Sequence, residues 1–241
     1  MKKIFFLLAL TPLYCYSYNS DSTRHDTIKK SKFSLGLSVN SQYCYRSLYA
    51  NSSNATLLSE RNAVEAAKFG GISGLDVALK MSRAITFESG IMVSDQGYRS
   101  TLLTVEYPNG IGIPYPSFSN KTGYTLYYYY LSIPFKVDYY LPVKNFQLFI
   151  SAGLSANISL GEQIQFDFGG ISSGNTPESF MGYTGANLAM LASIGFNYPL
   201  SKKTTLKIEP NFMRALTPIV NEAIKEYTYS VGLTIGVLVY P

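Results

Sequence analysis

The chain ends in Tyr227-Thr-Tyr-Ser-Val-Gly-Leu-Thr-Ile-Gly-Val-Leu-Val-Tyr-Pro241. Alternate positions Tyr227, Tyr229, Val231, Leu233, Ile235, Val237 and Val239 are all apolar or aromatic. The intervening Thr228, Ser230, Gly232, Thr234 and Gly236 are small or polar, until Leu238 breaks the series. Successive side chains of a strand point to opposite faces. A strand this long with one greasy and one small-polar face suits a transmembrane β-barrel, where the greasy side meets lipid and the small side lines the lumen.

Seven further segments alternate in the same way. They cover residues 32–45, 69–81, 84–95, 124–140, 146–160, 186–198 and 204–214. In the first, Phe33, Leu35, Leu37, Val39, Tyr43 and Tyr45 oppose Ser34, Gly36, Ser38 and Asn40. In the fourth, Tyr127, Tyr129, Leu131, Ile133, Phe135, Val137 and Tyr139 oppose Ser132, Lys136 and Asp138. Pro134 and Pro210 fall inside the fourth and seventh segments, and a proline within a paired strand is expected at a bulge.

The connections alternate strictly. Ser82-Arg83, residues 141–145 and residues 199–203 are short turns, whereas residues 46–68, 96–123, 161–185 and 215–226 are long. Outer-membrane barrels show this asymmetry, with short periplasmic turns and long outer loops. The sequence therefore predicts an all-β, eight-stranded antiparallel up-and-down barrel in the outer membrane of a Gram-negative bacterium.

Alternation alone does not say which face looks outward, so a soluble lipocalin-like carrier is the competing architecture. Aromatics favour lipid outside, because they cluster at both ends of the apolar faces. Phe33, Tyr139, Phe146 and Tyr198 stand near the short turns. Tyr43, Tyr45, Tyr127, Tyr129, Tyr227 and Tyr229 stand near the long loops. With 21 tyrosines and no tryptophan, any aromatic girdle must be built from Tyr and Phe.

Parity also places Asp76, Lys80, Glu88, Lys136, Asp138, Lys207 and Glu209 on the lumen face, near the short turns. In an interior only wide enough for side chains, such charges must pair. A structural plug is the expected role; a gate, a selectivity element or a small charged-ligand site is the alternative. The long loops carry exposed aromatics, in Tyr107-Pro-Asn-Gly-Ile-Gly-Ile-Pro-Tyr-Pro-Ser-Phe118 and in Phe166-Asp-Phe-Gly-Gly-Ile171. These would either contact a partner or fold over the mouth. Residues 59–68 have the composition of a short helical turn.

At the other end, Met1-Lys2-Lys3 precedes an apolar run at residues 4–10, with Cys15 and Ser17 placed for cleavage before Tyr18. This reads as a signal peptide over 1–17, then a periplasmic segment over 18–31 and a barrel domain over 32–241. Loss of Lys2 and Lys3 lowers the formal net charge from +5 to +3, too little to suggest nucleic acid. Cys44 would then be the sole cysteine and His25 the sole histidine, so neither a disulfide, a metal site nor an imidazole-based catalytic site is expected. No cofactor is expected, and the glycines of the third long loop lead into no helix that would cradle phosphate.

Tyr130-Leu-Ser-Ile-Pro-Phe-Lys-Val-Asp-Tyr-Tyr140, a short turn and Phe149-Ile-Ser-Ala-Gly-Leu-Ser155 together resemble the central hairpin of the PorT-like outer-membrane β-barrel family of Bacteroidetes. Members typically carry a Tyr-Leu-x-Ile-Pro strand ending in Tyr-Tyr, then an Ala-Gly-x-Ser strand. The resemblance implies an outer-membrane barrel, makes Pro134 part of the pattern and supplies no catalytic residues. Some members are linked to protein export. The expected function is accordingly non-enzymatic: a structural or surface-interaction barrel, with an accessory role in secretion as one form of it. Outer-membrane lipid and a protein or surface partner at the outer loops are the expected partners; a narrow channel for small or apolar solutes is the alternative.

Overall fold

The computed structural model describes residues 32–101, 103–104, 121–141, 147–168, 171–176 and 183–241. The expected signal peptide, the segment with His25, Phe146, the Tyr107–Phe118 stretch and Gly169-Gly170 lie outside the described residues. Eight long strands dominate: β1 (Phe33–Ala50), β2 (Glu65–Lys80), β3 (Ile85–Ser100), β4 (Lys121–Leu141), β5 (Gln147–Phe168), β6 (Ala186–Pro199), β7 (Thr204–Ala215) and β8 (Ile224–Val239). Each pairs antiparallel with the next in sequence. β8 then pairs with β1 from Leu35↔Val239 to Ala50↔Ile224, which closes the ring. Closure leaves no long edge strand with bare N–H and C=O groups, the condition for a sheet to stand in hydrocarbon. No helix among the described residues is long and apolar enough to cross a membrane.

The faces resolve as the parity predicts. Leu37 is 66% exposed and Val39, Leu75, Ile91 and Val231 are exposed beside it, whereas Ser34, Gln42, Asp76, Glu88, Ser132, Asp138, Lys207 and Glu209 are buried. A polar interior inside an apolar surface overturns the soluble-carrier alternative, which needs the reverse. Small lumen residues make room for large ones. At Gly195, for example, a Cβ would collide with the buried Phe149 ring.

Three expectations need correction. The strands run farther toward the long loops than alternation indicated: β1 reaches Ala50, β2 starts at Glu65, β3 reaches Ser100 and β5 reaches Phe168. Register shifts explain why the pattern was lost there. One extra β2 residue between Ala67 and Gly71 turns Glu65 inward. Another shift opposite Tyr129/Tyr130 leaves Leu160 unmatched; Gly161 there adopts φ +145°, a conformation that favours glycine, and buried Ile164 follows.

The helix is also offset, meeting the expected stretch only over residues 59–64. α1 spans Ala55–Val64, and residues 65–68 are already strand. Finally, neither proline sits at a bulge. Pro134 stays in register with Ser155 on one side; on the other, pairing lapses between Ser89 and Met92 without a shift, and Ser89 Oγ donates to the Pro134 carbonyl at 2.8 Å. Pro210 stays opposite Leu233, and pairing with β6 lapses between Ser193 and Phe196. In an antiparallel strand the N and O of one residue face the same neighbour. The missing N–H therefore weakens one ladder only.

A charge on the outer face at mid-height tests the orientation. Leu37→Arg should cost about 2–4 kcal/mol of folding stability in lipid vesicles, whereas a similar change on the lumen face would act through packing. Urea unfolding in vesicles measures it; an unchanged midpoint would contradict the lipid-facing assignment.

Candidate functional site

The lumen is occupied at two levels. Near the short turns, Glu88 on β3 is the direct cross-strand partner of Lys136 on β4. Lys207 and Glu209, two apart on β7 and so on one face, reach them across the interior. Lys136 Nζ lies 2.7 Å from Glu88 Oε1 and 2.9 Å from Glu209 Oε1. Lys207 Nζ lies 2.5 Å from Glu88 Oε2 and 2.7 Å from Glu209 Oε2. The result is a closed square of alternating charge in which each carboxylate meets both ammonium groups. Ser193 Oγ donates to Glu209 at 2.6 Å, and Lys207 Nζ stands 5.3 Å from the centre of the Phe149 ring.

Four of the seven expected lumen charges build this square. Asp76 and Asp138 are buried inside but make no ion pair among the described residues. Lys80 stays out of it: its side chain is exposed at the short-turn rim, where water solvates an ammonium more cheaply than a dry lumen does. Beside the square lies a cavity of about 90 Å³, lined by Ser38, Asn40, Asp76, Met92, Asn211 and Met213 among others. That is room for a few waters, not for a solute in transit. Asn40 Nδ2 donates to Asn211 Oδ1 at 3.1 Å and to Thr234 Oγ1 at 2.9 Å across it.

The second level, toward the long loops, is one that sequence reasoning missed. Tyr98, Leu126, Tyr128, Tyr130, Ile164 and Ile219 form a buried cluster that fills the outer half of the lumen. Above it sit two arginines and two glutamates. Arg46 Nε donates to Glu65 Oε2 at 2.6 Å. Arg61, near the end of α1, donates from Nε to Glu65 Oε1 at 2.6 Å and from Nη2 to Glu226 Oε2 at 3.0 Å. The tyrosine hydroxyls complete the set: Tyr124 donates to Glu65 at 2.9 Å, and Tyr128 to Glu226 at 3.0 Å. Burial disfavours the Arg61 charge, but its hydrogen bond to Glu65, with Tyr98 and Glu226 close by, outweighs this and raises the guanidinium above its ordinary value.

These bonds hold α1 over the mouth, although none of its residues is buried. The connection between β7 and β8 is drawn in as well. Ile219 is fully buried, its N–H donates to the Glu226 carbonyl at 2.8 Å, and Thr184 Oγ1 donates to the Pro218 carbonyl at 2.9 Å. The third long connection is largely a hairpin, in which β5 continues to Phe168 and pairs with Ile171–Thr176.

The expected aromatic girdle falls as follows. Phe33, Tyr139 and Tyr198 are exposed near the short turns, and Tyr43 is exposed near the other end. Tyr127 and Tyr129 stack with ring centres 6.2 Å apart; Tyr45 meets Tyr229 edge-on at 5.9 Å, and Tyr227 meets Tyr49 at 5.4 Å. Tyr45 also turns its hydroxyl to the Glu65 carbonyl, at 2.8 Å. Cys44 is buried, free and inward-facing.

With this geometry in view, the model of the outer membrane protein beta-barrel domain family matches residues 17–221. No curated protein matches the sequence. Among solved structures, the chain is similar to Neisserial surface protein A, at 15% identity over 88% of this chain and 98% of that one, TM-score 0.48. It is also similar to OprG of Pseudomonas aeruginosa, at 10% identity over 86% and 96%, TM-score 0.38. A third is the outer membrane protease OmpT of Escherichia coli, at 10% identity over 90% and 99%, TM-score 0.40.

The charge square makes a double-mutant test possible. Lys207→Met should cost about 3–5 kcal/mol, because two buried glutamates are left with one lysine. Adding Glu88→Gln should recover about half of that loss, since it removes one stranded carboxylate. Unfolding midpoints in vesicles provide the readout, and strictly additive losses would show that the four groups do not act as a unit.

Proposed function

The chain belongs to the outer membrane protein beta-barrel domain family and resides in the bacterial outer membrane, and on that premise we propose that it works from its outer face with its lumen shut. The observation that carries this reading is the double closure. A charge square blocks one half of the interior, and a tyrosine cluster roofed by Arg46, Arg61, Glu65 and Glu226 blocks the other. Eight strands leave an interior that side chains can fill, and here they do. Among the described residues, what remains available to a partner is the outer rim: the exposed α1 face and the β5 hairpin.

On this reading the protein is a non-enzymatic structural or surface-interaction barrel. The main lumen carboxylates support that view, because Glu65, Glu88, Glu209 and Glu226 are all engaged in ion pairs, which suits a packed network better than acid–base chemistry. The aromatics at the two rims would mark the membrane interfaces. The hairpin from Tyr130 to Ser155 supports a finer placement among PorT-like barrels, with an accessory role in secretion as one form of surface interaction. The narrow-channel reading requires both blocks to move, which the 90 Å³ cavity alone does not provide.

Planar-bilayer recording of the purified chain decides between the two. No steady conductance is expected; a persistent open pore would overturn the closed-lumen reading. Capture of partners from intact membranes should then depend on the outer rim: replacing residues 55–64 with a short glycine-serine linker should abolish capture while leaving heat-modifiable gel mobility intact.

A further inference from the structure

We infer that a groove on the outward face of β6, β7, β8 and β1 binds the anionic, phosphate-bearing headgroup of a lipid in the outer leaflet. The argument starts from Arg214. β7 turns its odd-numbered residues Lys207, Glu209 and Met213 into the lumen, so Arg214 points out toward the membrane. Its direct cross-strand neighbours are Met190 on β6 and Tyr229 on β8. With Tyr49, Tyr227 and exposed Leu216 it lines a groove of about 440 Å³. Arg214 Nη2 donates to the Tyr49 hydroxyl at 3.2 Å but has no carboxylate partner among the described residues.

Height fixes the environment. Starting from Thr204 at the short-turn rim, ten residues at ~3.3 Å each on a strand tilted by about 40° raise Arg214 by about 25 Å. That is the height of the apolar band of a membrane barrel, so the guanidinium stands where hydrocarbon gives way to headgroups. Lys225, exposed on β8 and opposite Tyr49, adds a second outward cation four residues beyond Tyr229, the partner of Arg214. Exposed Glu222 makes an ion pair with neither.

Another cation at the same rim, Lys68, is buried rather than exposed. Lys68 is paired with Asp95 at 2.7 Å and lies 4.3 Å from the Tyr127 ring centre, so its charge is satisfied within the protein. Arg214 has a hydrogen-bonding tyrosine and apolar walls but, among the described residues, no internal anion. A guanidinium fork matches two phosphate oxygens. Tyr49, Tyr227 and Tyr229 suit the polar–apolar boundary at which a headgroup sits. Toward mid-membrane the groove continues into the lipid-facing surface through Phe212, paired with Ala192 and exposed Val231, so acyl chains would follow the headgroup without a break. A membrane lipid therefore meets both halves of this surface, and a free anion meets only one.

The test uses the full chain purified in detergent, incubated with lipid A, phosphatidylcholine or inorganic phosphate and examined by native mass spectrometry. The wild-type protein should retain one lipid A in preference to phosphatidylcholine, and Arg214→Gln should lose about tenfold in retention while Arg214→Lys keeps part of it. Heat-modifiable mobility checks that each variant is folded. Should Arg214→Gln fail to fold, Lys225→Gln carries the same expectation with a loss of about threefold. Equal retention by folded variants and wild type would overturn the site, as would displacement of the lipid by inorganic phosphate. So would pairing of two chains through this face without lipid.

Discussion

The pairing of β8 with β1 is the constraint on which everything else rests. Hydrocarbon offers no hydrogen bonds, so a sheet standing in it must satisfy its own backbone, and only a ring does so. The sixteen-residue ladder from Leu35↔Val239 to Ala50↔Ile224 makes that ring. Once it is closed, every strand has a fixed inside and outside, and a slip of one residue would put a whole set of leucines in the lumen and a set of carboxylates in lipid. The same requirement shapes the exceptions. Pro134 and Pro210 are tolerated because each loses pairing on one side only, and at Pro134 the Ser89 hydroxyl takes up the carbonyl.

Closure creates a second problem: the polar face is sealed in a narrow space with little water. Desolvating four charges is expensive, and a buried pair recovers the cost only with close geometry and further hydrogen bonds. The square of Glu88, Lys136, Glu209 and Lys207 meets that condition because each group has two partners of opposite sign. The outer half solves the problem differently. There, tyrosines supply volume, and their hydroxyls solvate Glu65 and Glu226 alongside Arg46 and Arg61. The helix over the mouth is held by that polar roof rather than by an apolar face, since none of its residues is buried.

Much of this was legible in the chain. Period-two alternation gave the eight strands, their order and the inward position of Glu88, Lys136, Lys207 and Glu209, because parity is a backbone property that survives any local detail. Two things broke the reading. An extra residue near Ala67–Gly71, and another at Leu160, each flips parity, so Glu65 and Ile164 appear to lie on the wrong face when counted from below. The outer network is also built from positions far apart in sequence, such as Arg61 with Glu226, which only ring closure brings together. Two signals were nonetheless present: Gly161 directly after the mismatch, and an unusual even-numbered tyrosine pair, Tyr128 and Tyr130, on the lumen face of β4. Lys80 misled because parity says which way a residue points, not whether the rim lets it escape to water.

The division between a sealed interior and a chemically varied rim follows from strand number. With eight strands, the lumen volume is spent on side chains that keep the ring from collapsing. Any specificity then has to be written where the strands leave the membrane. That is where this chain departs most from a uniform apolar coat: stacked Tyr127 and Tyr129 beside the Lys68–Asp95 pair on one side, Arg214 among Tyr49, Tyr227 and Tyr229 on the other. A charge within a lipid-facing surface is costly at mid-height and nearly neutral at the interface. The placement of charges at the upper ends of β2, β3, β7 and β8 is therefore tolerated by the membrane, and it leaves Arg214 and Lys225, which have no ion-pair partner among the described residues, as the point where the barrel and an anionic lipid would complete each other's charge.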